Sequence, residues 1–280
     1  MKSILVGIMT VALGAFLSGP VLAGLPAGGK EIDDVAYGAD KEQRMDVFVP
    51  AHARAAPIVL MVHGGAWLIG DKDSRGVARN KVDYFLPKGV IFISTNYRLS
   101  PKADPVEQAR DVARALAYVQ HHAAEWGGDA SRIVIMGHSA GAHLVALLAS
   151  DPVIAREQGV APWLGTVVLD SAALDLEAIM QGSHQRFYDR VFKDDPAFWK
   201  AASPYAVLAD QTAPMLIVCS TQRDDSCLNA ARYRNKAVAF KTRIEMLPVD
   251  LTHREINVKL GENGSYTDAI ERFLQSLGMP

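Results

Sequence analysis

The sequence predicts an α/β fold built on a mainly parallel sheet, and three observations carry that expectation. Six short apolar runs, Ile58 to Val62, Val90 to Thr95, Ile133 to Met136, Thr166 to Leu169, Met215 to Cys219 and Ile244 to Leu247, are rich in Val, Ile and Leu and lack strict polar alternation. Strands covered on both faces have this character. Amphipathic segments alternate with the runs, which implies three layers joined by right-handed crossovers. The chain has 280 residues, 49 % of them hydrophobic and 21 % charged, enough to bury the core of one large domain.

The elements follow in chain order. Lys2 gives a positive start, Ile4 to Leu17 is apolar, and Val21-Leu22-Ala23 places small residues before a cut. This is the pattern of a secretory signal peptide over residues 1–23, with the mature domain spanning 24–280. The apolar core is short for a bilayer span and Gly19-Pro20 interrupts it, which favours cleavage over an uncleaved anchor. After cleavage no stable membrane insertion is expected, and the location is periplasmic or secreted. Val35 to Tyr37 and Met45 to Val49 flank a polar stretch and read as a leading hairpin.

Pro105 to Glu125 carries Val106, Ala109, Val112, Ala113, Leu116, Ala117 and Val119 at helical spacing. Gly141 to Ser150 is apolar nearly all round and reads as a buried helix. Thr267 to Leu277 closes the chain with Ile270, Phe273 and Leu274 on one face. Residues 176–205 break the alternation. They hold Phe187, Tyr188, Phe192, Phe198 and Trp199 among charges, and are expected to form a small helical cap. Cys219 and Cys227 are the only cysteines. Their spacing permits a bridge, which an oxidising compartment would preserve; a buried thiol with an unrelated second one is the alternative.

Two motifs carry the chemistry. Gly137-His138-Ser139-Ala140-Gly141 sits between an apolar run and a helix. A serine hydroxyl is a weak nucleophile that needs exposure and a base. A sharp strand-to-helix turn supplies the exposure, and small residues two positions to each side avoid collision. The helix N-terminus adds positive dipole. His63-Gly64-Gly65-Ala66-Trp67 follows another strand, and the N–H groups of Gly64, Gly65 and Ala140 would form an oxyanion hole. His63 is expected to anchor this loop. Trp67 and His138 are expected at the substrate, although Trp67 serves equally well as packing.

Of eight histidines, His253 follows the last strand and precedes the final helix, where a loop returns over the strand ends, and is the expected general base. The acid that orients it should lie between residues 139 and 253. Arg223-Asp224-Asp225-Ser226 follows the Met215-to-Cys219 strand, and Asp225 is the choice, with Asp224 its alternative and Asp250 and Asp175 more distant ones. Either tandem aspartate could instead cap the next helix.

The composition limits the other function classes. Net charge is -2, so no basic excess invites nucleic acid. There is no phosphate loop or dinucleotide fingerprint. His138 and His143 stand five apart, which does not put two ligands on one helix face. No metal and no cofactor are expected, only a small-molecule substrate.

The two motifs resemble those of the α/β-hydrolase superfamily, and within it the hormone-sensitive-lipase-like carboxylesterases with their HGG loop and GxSAG elbow. Asn96-Tyr97-Arg98-Leu99 and His253-Arg254-Glu255-Ile256-Asn257 are similar to the branch that holds bacterial feruloyl/acetyl esterases and arylformamidases. The resemblance runs from about Tyr37 to the C-terminus. It implies an α/β-hydrolase fold, Ser139 as nucleophile, His253 as base and Asp224 or Asp225 as acid. The expected activity is that of an exported serine carboxylesterase acting on short or aromatic acyl esters through an acyl-enzyme. An arylformamidase-like amide hydrolase is the alternative within this machinery, although the leader argues against the cytosolic tryptophan-pathway arylformamidases. A non-catalytic hydrolase-fold binding protein is the alternative of a different class.

Overall fold

The computed structural model describes residues 25–280, so the signal peptide expected over 1–23 lies outside the described residues. Eight strands form one sheet: β1 (Lys30–Ala36), β2 (Arg44–Val49), β3 (Ala56–Val62), β4 (Ile91–Thr95), β5 (Gly128–His138), β6 (Gly165–Leu169), β7 (Met215–Ser220) and β8 (Ile244–Val249). Their spatial order is β1-β2-β4-β3-β5-β6-β7-β8. The first two pairings are antiparallel and every later pairing is parallel. The six apolar runs and the leading hairpin all appear as strands.

The helices in chain order are α1 (Arg75–Phe85), α2 (Pro105–His122), α3 (Ala140–Ser150), α4 (Pro152–Glu157), α5 (Leu176–Gln181), α6 (Arg186–Phe192), α7 (Pro196–Ala201), α8 (Pro204–Val207), α9 (Ser226–Ala239), α10 (His253–Val258) and α11 (Ser265–Ser276). The start of α2 shows why the chain turns helical there. Asp104 accepts from the N–H groups of Val106 and Glu107, the Glu107 carboxylate reaches back to the Asp104 N–H, and Pro105 presets φ at the first position. Its regular turns end at His122 and continue as a 3-10 turn over Ala123–Trp126.

Alternation along the strands divides the core into two faces. Ile58, Leu60 and Val62 of β3 and Ile133 and Ile135 of β5 join one apolar cluster, together with α2, α3 and α9. Val59, Met61, Val134 and Met136 join the other, with residues of α1, α10 and α11. A period of two along each strand, with both faces covered, accounts for the continuous apolar runs. Residues 176–205 fold into α5 to α8 between β6 and β7, where the sequence suggests a cap.

The parallel register determines where the functional segments end. Val62 stands opposite Gly137, and His138 stands opposite Leu169. The loops after β3, β5 and β6 therefore leave the sheet side by side at one edge, the edge where open parallel sheets hold ligands. Gly141 makes a close crossing there, because a Cβ on it would fall 2.3 Å from the Val62 carbonyl oxygen and 2.5 Å from that of His63. Gly141→Ala should cost at least about 2 kcal/mol, since backbone, not a flexible side chain, opposes the methyl. Chemical denaturation measures this, and an unchanged midpoint would contradict the close-packed crossing.

Candidate active site

Ser139 stands between β5 and α3 with φ 56° and ψ -117°. A non-glycine residue at positive φ is strained and survives only where its surroundings over-determine it. Those surroundings are visible: Ser139 N–H donates to Leu169 O at 3.0 Å and His143 N–H donates to Ser139 O at 3.1 Å. Space for the turn comes from Gly137, whose Cβ would meet Gly141 O at 2.3 Å. The elbow expected around Ser139 is thus present in detail.

His253, the expected general base, lies beside Ser139 but on a different element from the one expected. His253 opens the short helix α10, whereas the sequence reading has it in a loop. Thr252 caps α10, exchanging bonds with Glu255. Ser220 Oγ donates to Leu251 O at 2.6 Å, and at the far end Lys81 Nζ donates to Asn257 O at 2.8 Å and to its Oδ1 at 3.0 Å. With α10 held at both ends, His253 Nε2 accepts from Ser139 Oγ at 2.9 Å.

The carboxylate bonded to His253 is not one of those expected. His253 Nδ1 donates to Asp170 Oδ2 at 2.5 Å, and Asp170 directly follows β6. Asp170 is fully buried, and its own φ is 54°. Burial acts to raise its carboxyl pKa. Hydrogen bonds from His253, Ser226 and the Ser220 N–H, with the Arg223 charge, outweigh that and hold it well below the usual carboxylate range. Ser220 N–H lies 2.9 Å from Oδ1, Ser226 Oγ also donates to Oδ1, and Arg223 Nη1 lies 2.8 Å from Oδ2.

Asp225 and Asp224 are both exposed. Asp225 pairs with Arg223 Nη2 at 3.2 Å, whereas Asp170 pairs with the other terminal nitrogen, Nη1. The reason lies in the loop after β7, which the Cys219–Cys227 disulfide closes. That loop presents Arg223 inward and leaves the aspartates outside. Asp250 accepts from Gln222 Nε2, and Asp175 caps α5 and pairs with Arg232. Asp170 is absent from the acids that the sequence singles out. Its signal was an aspartate directly after the Thr166-to-Leu169 run, between residues 139 and 253, on the strand next to the nucleophile.

The glycine loop is packed on the elbow. A Cβ on Gly64 would lie 2.9 Å from His138 O and from Ser139 Cβ, and a Cβ on Gly65, at φ +129°, would strike Ile69 O. Ala140 begins α3 beside Ser139. Gly64 and Ala140 therefore lie against Ser139, and Gly65 follows Gly64 in the same loop. His63 anchors the loop, with Nδ1 donating to Gly64 O at 2.7 Å and its ring stacked on Tyr97 at 4.5 Å.

Trp67 and His138 diverge in their placement. A cavity of about 340 Å³ opens over Ser139, walled by Ala66, Trp67, Phe187 and Tyr188 and reached by Arg223 and His253. Trp67 is both wall and packing: it meets Phe192 at 4.9 Å and Tyr188 at 5.7 Å, and its indole N–H donates to His143 Nδ1 at 3.1 Å. His143 Nε2 in turn donates to Ala202 O at 2.7 Å, which ties the pocket wall to the cap. His138 does not line that cavity. Its Nε2 donates to the backbone oxygen of His253 at 2.9 Å and its ring lies 4.6 Å from the His253 ring, so it props that residue from behind. Among the described residues, no three His, Cys, Asp or Glu side chains cluster as a metal site requires.

Buried imidazoles resist protonation. Burial pushes His138 down to about 3 and His143 down to about 4, and lowers His63 as well. The unfolded chain takes up these protons below about pH 6.5, while the folded protein does not. The stability they contribute is complete above that pH and is lost as pH falls toward 4. In urea unfolding, the wild-type advantage over His138→Gln should shrink below pH 6.5 by up to about 1.4 kcal/mol per pH unit. A constant difference between the two proteins from pH 7 to 4.5 would contradict a neutral, buried His138.

Comparison with known proteins agrees with this architecture. Esterase LipQ of Mycobacterium tuberculosis is 32 % identical over 204 residues, 67 % of this chain and 48 % of LipQ, so the chain spans about half the length of that relative. Esterase B from Lactobacillus rhamnosis superposes with a TM-score of 0.72 at 21 % identity, covering 91 % of this chain and 87 % of the esterase. A truncated carbohydrate esterase from gut microbiota gives 0.76 at 19 % identity, with 89 % and 96 % covered. These likenesses establish the α/β-hydrolase fold. The BD-FAE family model matches residues 45–232, a span that includes the glycine loop, the elbow and Asp170, and the chain belongs to the BD-FAE family.

Proposed function

We propose that this protein is a serine carboxylesterase whose triad is Ser139, His253 and Asp170. The observation that carries the reading is the continuous hydrogen-bond path from Ser139 Oγ through the His253 ring to the buried Asp170 carboxylate. In such a path the hydroxyl attacks an ester carbonyl as Nε2 removes its proton, and the imidazolium then protonates the leaving alcohol. Water activated by the same nitrogen hydrolyses the acyl-enzyme. Asp170 keeps the proton on Nδ1, so that Nε2 is free to accept. The amides of Gly64, Gly65 and Ala140 are the proposed oxyanion donors. The names of the esterase relatives support the reaction class, and the aromatic wall of Trp67, Phe187 and Tyr188 favours short or aromatic acyl groups. Action outside the cytoplasm is part of the proposal, supported by the leader pattern and by a disulfide of the kind that persists in oxidising compartments.

Turnover of a short p-nitrophenyl ester tests the reaction. Ser139→Ala should abolish both turnover and labelling by a fluorophosphonate. Asp170→Asn should lower kcat by about 10⁴-fold, as a wrong-tautomer substitution does, and Asp225→Asn should change it less than about tenfold. Faster hydrolysis of a formyl-anilide than of any ester would move the assignment to an amide hydrolase. Absence of labelling in the intact protein would leave only a binding role.

Reducing the disulfide tests the loop that supports Asp170. The bridge closes a short loop, eight residues from Cys219 to Cys227, and loops of this size are stabilised by about 2 to 3 kcal/mol on closure. The Cys219→Ser, Cys227→Ser double variant should lose that much in urea unfolding, and an unchanged midpoint would show that the loop is held by its other contacts alone.

A further inference from the structure

A second cavity, of about 490 Å³, adjoins the one over Ser139, and the triad makes no use of it. The two cavities share Gln185, Phe187, Tyr188 and Arg223 as a common wall. In that wall Phe187 and Tyr188 of α6 stack at 4.4 Å, and Arg223 lies 3.0 Å from His253 Nδ1. The outer cavity continues between α5 and α9, where Ile179, Leu228, Asn229 and Arg232 line it.

The charged groups of the outer cavity are already matched. Arg223 pairs with Asp170 and Asp225, Arg232 with Asp175 at 2.8 Å, and His184 with Asp189 at 2.9 Å. A charged ligand would have to compete with one of these pairs, and parting a pair leaves a charge uncompensated. Two neutral polar groups are not matched. The Asn229 side-chain amide and the Tyr188 hydroxyl have no hydrogen-bond partner among the described residues, although Asn229 is only 6 % exposed and Tyr188 9 %. Polar groups withdrawn from bulk water are normally bonded, and an amide offers two donors and an acceptor, a phenol one of each. Asparagine is also a weak helix former, and within α9 its amide gains no local bond to offset that. Both groups suit a ligand that is polar and uncharged.

The reaction decides which part of the substrate this is. The proton on His253 Nε2 passes to the departing alcohol, so the alcohol leaves on the His253 side of the ester. Arg223, in contact with His253, carries the outer cavity onward from that side. Ala66 and Trp67 wall the inner cavity alone and are left to the acyl group.

We propose that the outer cavity binds the leaving alcohol, that this alcohol is uncharged and carries hydrogen-bonding groups beyond the ester oxygen, and that Asn229 and Tyr188 select it. The inference rests on the esterase reading above and deepens it by naming the class of alcohol. Four butyrate esters of similar length test it: diethylene glycol monobutyrate, n-hexyl butyrate, butyrylcholine and the ester of 5-hydroxypentanoate. The wild type should favour the glycol ester in kcat/KM by about tenfold over the hexyl ester and over both charged esters, the scale of a hydrogen bond to an otherwise unpaired group. Asn229→Leu keeps the volume and removes the amide, so the glycol-to-hexyl ratio should fall about tenfold. The ratio does not depend on how much of a variant is folded, and if the leucine variant yields no folded protein, Asn229→Ala is read by the same ratio. A second series keeps ethanol as the alcohol and puts the glycol or alkyl chain in the acyl group, where Asn229→Leu should leave the ratio in place. A wild-type preference for the hexyl or a charged ester, a glycol-to-hexyl ratio unchanged in the Asn229 variant, or an Asn229 effect confined to the acyl series would each overturn the proposal and leave the esterase reading standing. No turnover of any ester, with Ser139 still labelled by a fluorophosphonate, would reject the reading and the proposal together.

Discussion

A carboxylate removed from water keeps its charge only where hydrogen bonds replace the lost hydration, and the site depends on the way Asp170 meets that condition. Four donors converge on it: the Ser220 N–H, Ser226 Oγ, Arg223 Nη1 and His253 Nδ1. Three of the four come from one short loop that the Cys219–Cys227 disulfide closes. The loop after β7 therefore serves as a cradle for an acid that β6 supplies. That division of labour lets a fully buried carboxylate remain ionised, and an ionised carboxylate is what holds the His253 ring with Nε2 facing Ser139.

The sheet makes the convergence inexpensive. Adjacent parallel strands end at one edge, and the register carries β3, β5 and β6 to that edge within a residue of one another. Ser139 and Asp170 leave neighbouring strands, each with positive φ, and Ser139 N–H extends the ladder by bonding Leu169 O. Strained backbone at both positions is compatible with a stable fold because close-packed glycines and the continued ladder leave little room for relaxation. His253 arrives on α10, which packs on the face of the sheet that carries α1 and α11 and is fixed by its cap, by Lys81 and by His138. Trp67, His143 and Ala202 link the pocket wall to the cap by the same logic, with each polar hydrogen assigned to one acceptor.

Much of this was legible in the sequence, for reasons that are local. Continuous Val, Ile and Leu runs mark strands covered on both faces, so the strands appear where those runs lie. The Ser139 elbow needs glycines at fixed positions, and steric need of that kind is written into a short motif. The nearness of His253 to Ser139 was legible in its place after the last strand. The carboxylate that holds its ring was not, because that choice is decided by what surrounds the imidazole in space. Tandem aspartates after β7 match the expected chain order, yet the disulfide and the inward turn of Arg223 leave them exposed. His138 looked like a pocket residue because it neighbours the nucleophile in sequence; strand geometry turns its ring toward His253 instead. The helix α1 is not among the segments read from the sequence, and it supports the site through Lys81, whose carbonyl partners lie on α10 and in its own first turn.

The central claim is that the imidazole of His253 shares its Nδ1 proton with Asp170 and with no other acid. Proton NMR tests this most directly, since a hydrogen held in a short, buried bond between nitrogen and carboxylate exchanges slowly and resonates far downfield of ordinary amides. The account predicts such a resonance in the wild type and in Asp225→Asn, and its loss in Asp170→Asn. A resonance that survives in Asp170→Asn and disappears in Asp225→Asn would contradict it.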